Sequence, residues 1–536
     1  MLVSAADRSF FYPPTKPSSL GICFSKVSAN VDPKINAFTR RNHQTHSFFT
    51  SCCHKQPPVP VDPRYRHAGI GILDFFQGKN ILVIGATGLL GKAVVEKLLR
   101  STSVGKIYLL IKAKSKEAAF DRLQSEIISS ELFSCLKEKH GTSYVAFLRE
   151  KLIPIVGDIR KPNMGMDSES IDEVRKYVHV IIQSAASTTF HERYDLLVNS
   201  NVIAPQRVIR FAKTCNKLLL FTHVSTAYVN ERKEEEIVFE EPLSMGGNDG
   251  GVDVADEISL LLKSSPNINE ATNYFKMLGQ ERAKTLGWST TYQLSKAMGE
   301  MVVNEIRGDV PLLIMRPSII ESCYNEPLPG WIQGMRMCDP VIQCYGKGLL
   351  PAFCANPEAP LDIIPVDLVA NTMIAAIAKH GNIYMRQPHV YHVASSHSNP
   401  ITIFDLFDYQ HEYFKGTHTH LTSERIHIPK VRLFDNFDEF SKYTREEMWE
   451  RCRDGEDGKR IREYNAKVEY VEQLCKLYEF ATFFKARFHT GNTNKLTEEM
   501  SKEEQLNFQV DVKNINWKKY LEEIHIPGLI KYVING

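Results

Sequence analysis

Tyr292 and Lys296 stand four residues apart in Tyr292-Gln293-Leu294-Ser295-Lys296. The run continues with helical spacing through Ala297-Met298-Gly299-Glu300, so both side chains fall on one face of a helix. A phenol and an ammonium placed in this way can serve a carbonyl reduction, in which a proton reaches the oxygen while hydride reaches the carbon. Tyrosine, with an ordinary pKa of about 10, is a reluctant participant at neutral pH; a cation one turn along favours the tyrosinate and can also hold a nicotinamide ribose. A further hydroxyl for the substrate oxygen is offered where the apolar run Leu218 to Thr222 passes into His223-Val224-Ser225-Thr226-Ala227-Tyr228. Of Ser225 and Thr226, Thr226 is the preferred anchor. Tyr-x-x-x-Lys alone is close to noise, because any long helix can carry such a pair on its surface. Its weight comes from the elements that precede it.

Those elements begin at Lys79 to Gly91, KNILVIGATGLLG, an apolar strand running into Gly85, Gly88 and Gly91 and then into the amphipathic segment Lys92 to Arg100. Strand, glycine turn and helix come in the order that a dinucleotide-binding fold requires. Gly85 permits the tight turn, Gly88 lets backbone approach a pyrophosphate, and Gly91 lets the helix pack on the strand. Thr87, Leu89 and Leu90 complete the turn and the helix start that face the phosphates. The second strand, Lys106 to Ile111, ends in Lys112-Ala113-Lys114 where an NAD enzyme would place a carboxylate on the ribose. A cation at Lys112 suits an extra 2′-phosphate, so NADPH is the expected cofactor; two lysines solvating a loop is the alternative. Downstream, Leu152 to Val156 leads to Gly157-Asp158-Ile159, where such folds place an acid near the adenine. Val178 to Ile182 leads to Gln183-Ser184-Ala185-Ala186-Ser187, and Ala185 and Ala186 are small enough for close cofactor approach. The expected class is α/β: a doubly wound parallel sheet whose G-x-x-G-x-x-G spacing is that of extended short-chain dehydrogenases.

Composition narrows the field. Over 536 residues, Lys+Arg 65 against Asp+Glu 63 gives a net charge of +2, which disfavours nucleic acid as a partner. The 11 cysteines form no CxxC pair or Cys/His cluster, so no metal site and no disulfide framework is expected. Runs of about 18 apolar residues are absent, so no membrane span is expected, while peripheral membrane contact stays open. Residues 1–63 are rich in Ser and Thr, with Asp7, Asp32 and Asp62 as the only acids. That is the composition of an organelle transit peptide and linker, with a plastid as the expected destination; an unaddressed tail is the alternative.

At this point the chain resembles the plant alcohol-forming fatty acyl-CoA reductases, the group that includes the male-sterility proteins. The resemblance runs from about Ile70 to the end and rests on His223 to Asn230, on Gly287-Trp288 with Thr291-Tyr292 and Lys296 to Glu300, and on Arg316-Pro317-Ser318-Ile319-Ile320-Glu321-Ser322 with Pro329-Gly330-Trp331. Near the end, Tyr478 to Phe488, Phe508 to Asp511, Trp517, Tyr520 and His525-Ile526-Pro527-Gly528 are similar to the family's C-terminal domain. Gln183, Ser187, His191 and Glu231 depart from its pattern, and Lys112 replaces a frequent Arg. The resemblance implies reduction of a long-chain acyl-CoA or acyl carrier protein thioester to a primary alcohol with two NADPH, by way of a bound aldehyde. It implies Thr226, Tyr292 and Lys296 as catalytic residues and places Pro317 and Ile319 beside the nicotinamide. Cys323 is read as a packing residue, because nothing near it in sequence would lower its pKa.

The expected organisation is residues 1–63 as targeting segment and linker, 64–428 as NADP-binding Rossmann domain with a substrate subdomain, and 429–536 as a mainly helical domain capping an acyl channel. The long insertion between Tyr228 and Tyr292 reads as a lid or substrate wall, or else as a solvated excursion. A nucleotide-sugar or flavonoid reductase would share the Rossmann and Tyr-x-x-x-Lys set without explaining the C-terminal segments, and a non-catalytic NADP-binding scaffold would not need Thr226, Tyr292 and Lys296 together.

Overall fold

Seven stretches dominated by Val, Ile and Leu, with little polar alternation, have the composition of strands covered on both faces. In the computed structural model they form one parallel sheet: β1 (Ile81–Ile84), β2 (Ile107–Ile111), β3 (Leu152–Val156), β4 (Val180–Gln183), β5 (Leu220–Val224), β6 (Leu312–Pro317) and β7 (His389–Val393). Their order is β3-β2-β1-β4-β5-β6-β7, so the chain reverses direction across the sheet between β1 and β4. Strand periodicity divides the core: Ile81, Val83, Ile107 and Leu109 enter one apolar layer, and Leu82, Ile84, Tyr108 and Leu110 the other. The structure describes residues 69–535 except 191, 231–235, 246–251, 265, 268, 384, 417–420, 422–427 and 451–457. The segment read as transit peptide and linker, together with His191 and Glu231, lies outside them.

Two strands sit slightly later in the chain than the apolar runs suggest. β4 and β5 extend into the polar residues Gln183 and His223, which pair with each other in register. The first helix after β1 spans Leu89–Ser101, and the helix bearing Tyr292 and Lys296 spans Thr291–Ile306. After β6 the chain forms a short strand, Ile319–Glu321, paired in parallel with Ile363–Pro365.

The residues after 428 are mainly helical and are laced to the rest. Arg432–Phe434 pairs with Ala352–Cys354, and Arg487–Phe488 with Ile237–Val238 in the insertion. The Glu504 carboxylate accepts the backbone N–H groups of Ile70, Gly71 and Ile72, fastening the first described residues to the last hundred. The helix Gly458–Thr482 thereby brings its aromatic side chains against the end of β5.

Candidate active site

The glycine turn is tight enough to forbid side chains at two of its three positions. Gly85 has φ 98, and a Cβ there would lie 2.7 Å from the Ala185 nitrogen; at Gly91 a Cβ would lie 2.2 Å from the Gly85 carbonyl oxygen. Gly88 is exposed and caps the helix Leu89–Ser101 with no side chain spent on its free N–H groups. Those amides, on a helix of 13 residues with no acid in its first turn, form an anion-binding end. The Gln333 amide donates to the Thr87 carbonyl at 3.1 Å, which lays the segment after Trp331 over the turn. Just past the end of β4, Ala185 lies beside Gly85, and Ala186 follows it in the chain.

At the end of β2, the exposed Lys112 has its Nζ 3.9 Å from Asp158 Oδ2. Asp158 is also gripped by Arg160, through Nε at 3.0 Å and Nη2 at 2.9 Å, and this pairing holds its carboxyl down at about 2. Ile159 follows, half-buried. Arg160 was not singled out from sequence, yet with Lys112 it makes the rim beyond β2 and β3 cationic.

The helix Thr291–Ile306, which carries Tyr292 and Lys296, is positioned by three devices. Thr290 caps it, accepting the Gln293 N–H at 3.2 Å. Gly299 lets the backbone of Asn201 come close: a Cβ there would stand 2.0 Å from the Asn201 carbonyl oxygen. One turn beyond Lys296, Glu300 forms a fully buried ion pair with Arg316 of β6, with Nε to Oε2 at 3.0 Å and Nη2 to Oε1. Arg316 also donates to the Glu241 carbonyl at 2.8 Å, joining helix, sheet and insertion.

Lys296 is buried and donates to the Val224 carbonyl, the last residue of β5, at 2.7 Å. Burial pulls its ammonium down to about 8, opposed by the charge of Glu300. Burial likewise pushes the Tyr292 phenol up to about 12, against the lowering expected of a neighbouring cation. The physical reason is burial, which penalises the charged phenolate. In this state the phenol is a neutral O–H donor. Phe190 packs edge-on against the Tyr292 ring at 5.2 Å, and Phe480, from the helix after residue 428, lies 5.2 Å from Phe190.

Thr226 Oγ1 lies 3.4 Å from the Pro317 carbonyl, which brings the β5 and β6 ends together. Ile319 follows, buried, with its N–H on the Asp362 carbonyl. Ser225 Oγ, Ser318 Oγ and Gln183 Oε1 are buried without hydrogen-bond partners among the described residues. All three lie at or just past the carboxyl ends of β4, β5 and β6, the crevice where doubly wound sheets bind ligands. The glycine cradle, the free helix end and these orphaned polar atoms fit a bound dinucleotide.

Asn201 was missed by sequence reasoning. It is buried in a π-helical turn, accepts the Ser187 N–H at 2.9 Å, and donates to the Ser187 carbonyl and to Ser295 Oγ, both at 3.0 Å. It thus joins the β4 loop to the helix that carries Tyr292 and Lys296. Its only sequence signal is a polar residue inside an apolar helical stretch. Cys323 is wholly buried, and burial drives its thiol well above the usual range, which fits packing and not nucleophilic use.

The family profile described as "Male sterility protein" matches residues 83–373, and a second profile of the same description matches 456–536. The chain is 44% identical to "Fatty acyl-CoA reductase 2, chloroplastic" of Arabidopsis thaliana over 497 residues, covering 87% of this chain and 80% of that protein. It is 35% identical to "Alcohol-forming fatty acyl-CoA reductase" of Simmondsia chinensis over 489 residues, 87% and 99% of the two chains. Among solved structures, the terminal R domain from the myxalamid PKS-NRPS biosynthetic pathway superposes with a TM-score of 0.54 at 16% identity, covering 85% of this chain and 91% of that one, a likeness of fold.

Proposed function

The chain belongs to the male sterility protein family of fatty acyl-CoA reductases, and from that premise we propose that it reduces a long-chain fatty acyl thioester to the primary alcohol in two successive steps, using NADPH. The observation that carries the reading is the meeting of Tyr292, Lys296 and the β5 end at a dinucleotide crevice, with an aromatic wall on its open side.

Bound nicotinamide supplies the hydrides. The residues do the rest. Gly85, Gly88 and the N–H groups from Leu89 to Gly91 hold the pyrophosphate, and Lys112 with Arg160 offers charge to a 2′-phosphate. Tyr292, a neutral donor at physiological pH, hydrogen-bonds the thioester oxygen and stabilises it as negative charge develops, with the Thr226 hydroxyl as second donor. Collapse of that hemithioacetal oxyanion expels the thiol and leaves an aldehyde. The aldehyde stays between Phe190 and the catalytic helix, and Tyr292 then delivers the proton that completes the alcohol. Lys296, set between the Val224 carbonyl and the crevice, restores the phenolic proton and holds the ribose.

A small apolar cavity of about 30 Å³, lined by Ile319, Phe353, Leu406, Phe407, Tyr478 and Ala481, separates the segment after β6 from the C-terminal helix, and an alkyl chain would enter there only if these side chains move apart. A plastid address fits residues 1–63 and the chloroplastic relative, and it favours acyl carrier protein as the thioester's carrier. The test uses protein beginning near Val59 with palmitoyl-CoA and palmitoyl-acyl carrier protein, NADPH or NADH, and product analysis. Hexadecanol formed with NADPH supports the proposal; free aldehyde as sole product refutes the second step.

A further inference from the structure

Three side chains that the reduction does not use converge in the core. Glu321 ends the strand Ile319–Glu321, Asp339 opens the helix Asp339–Gly346, and His525 belongs to the run His525-Ile526-Pro527-Gly528; none has exposed side-chain surface. Glu321 Oε2, Asp339 Oδ1 and His525 Nε2 lie within 4.8 Å of one another. Nε2 is 3.1 Å from Asp339 Oδ1 and 3.9 Å from Glu321 Oε2. Each of these three atoms lacks a hydrogen-bond partner among the described residues. The other atom of each group is occupied: Glu321 Oε1 accepts the Cys338 N–H at 3.2 Å, Asp339 Oδ2 accepts the Arg336 N–H at 2.6 Å, and His525 Nδ1 faces Ser322 Oγ at 3.1 Å.

At 3.1 Å, Nε2 and Asp339 Oδ1 stand at ion-pair distance, and Glu321 Oε2 faces the same ring nitrogen from 3.9 Å with no hydrogen bond of its own among the described residues. One imidazole against two buried carboxylates leaves the cluster short of positive charge even when the ring is protonated, a deficit that a divalent cation removes. One imidazole and two carboxylates are a donor set that ions of the zinc series accept. The arrangement behind the imidazole is also that of a ligating histidine, since Ser322 Oγ fixes the ring through Nδ1 and is itself held near Tyr520 Oη at 3.2 Å.

We propose that Glu321, Asp339 and His525 form a binding site for one divalent transition-metal ion of the zinc class, which fastens the C-terminal segment to the strand that continues from Pro317. The donors come from three distant stretches, which is why no metal spacing is visible along the chain. The ion is structural, because its ligands are fully buried.

The test uses the full chain, measuring metal content by mass spectrometry and thermal melting before and after exhaustive chelation, then after added zinc chloride. The expected result is about one ion per chain, a melting temperature that falls on chelation and recovers with zinc, and a visible absorption band when cobalt(II) replaces zinc. Asp339→Asn and His525→Gln should lose the ion. Folded wild-type protein that retains less than about a tenth of an equivalent and melts identically with zinc or chelator overturns the proposal. So does an Asp339→Asn chain as stable as the zinc-supplied wild type. Neither readout needs turnover, so failure here leaves the reductase reading untouched, and the reverse holds as well.

Discussion

Replacing Glu300 with Gln tests how Lys296, the lysine of the proposed mechanism, is kept charged. Glu300 sits one turn beyond Lys296, raises its pKa against the effect of burial, and is paired with the wholly buried Arg316. Charges one helical turn apart, about 6 Å, at an effective dielectric of about 20 interact by roughly 2–3 kcal/mol. At about 1.4 kcal/mol per unit, losing this interaction lowers the Lys296 pKa by between one and two units. The unpaired guanidinium of Arg316 pushes in the same direction. The sign follows: Lys296 already loses its proton near pH 8 in the native chain, so the variant loses it at lower pH. The assay is kcat/KM for NADPH-dependent reduction from pH 5.5 to 9.5. The native profile should fall as pH rises through about 8, and the Glu300→Gln profile should fall earlier. Stability should drop as well. Removing one partner of a buried pair costs about 3–5 kcal/mol, and the low end applies because Arg316 keeps the Glu241 carbonyl and Gln keeps one acceptor. Guanidinium unfolding measures that loss. A falling limb that stays in place or moves upward in folded Glu300→Gln protein refutes the coupling.

Gly91→Ala should weaken NADPH binding at least about tenfold, roughly 1.4 kcal/mol, since its Cβ would meet backbone at 2.2 Å and force the helix start away from the turn; fluorescence titration checks it, and unchanged affinity contradicts it. Lys112→Glu should lower the NADPH-over-NADH preference by about tenfold through loss of a charge-assisted contact, read from the ratio of kcat/KM values. Phe190→Ala and Phe480→Ala should each raise KM for the acyl thioester while leaving NADPH affinity intact, because both rings line the approach to Tyr292; unaltered KM in both argues against the aromatic wall.

The glycine turn was readable because each demand on it is local: positive φ at Gly85 and backbone contact at Gly91 admit no other residue. The strand ends at β4 and β5 were displaced by about two residues, because the apolar runs begin before the ladder and the ladder continues into Gln183 and His223. Polarity ends an apolar run without ending a strand. Asn201 escaped notice because a π-helical turn has no sequence signature, and its partners Ser187 and Ser295 gain meaning only when brought together. The direction of the Tyr292 shift was not legible either. Four-residue spacing puts a cation on the same helix face, but the Val224 carbonyl decides where its protons point. The aromatic wall required knowing that Phe480 returns to Phe190 across most of the chain.

The central claim is that the Tyr292 phenol serves both reductive steps, as hydrogen-bond donor to the first oxyanion and as proton donor to the second, and the direct measurement is single-turnover product formation by Tyr292→Phe protein with its NADPH affinity determined in parallel. The account predicts that affinity survives while alcohol and aldehyde together fall by at least about a hundredfold. Alcohol formed at the native rate by a folded, cofactor-binding Tyr292→Phe chain would contradict it.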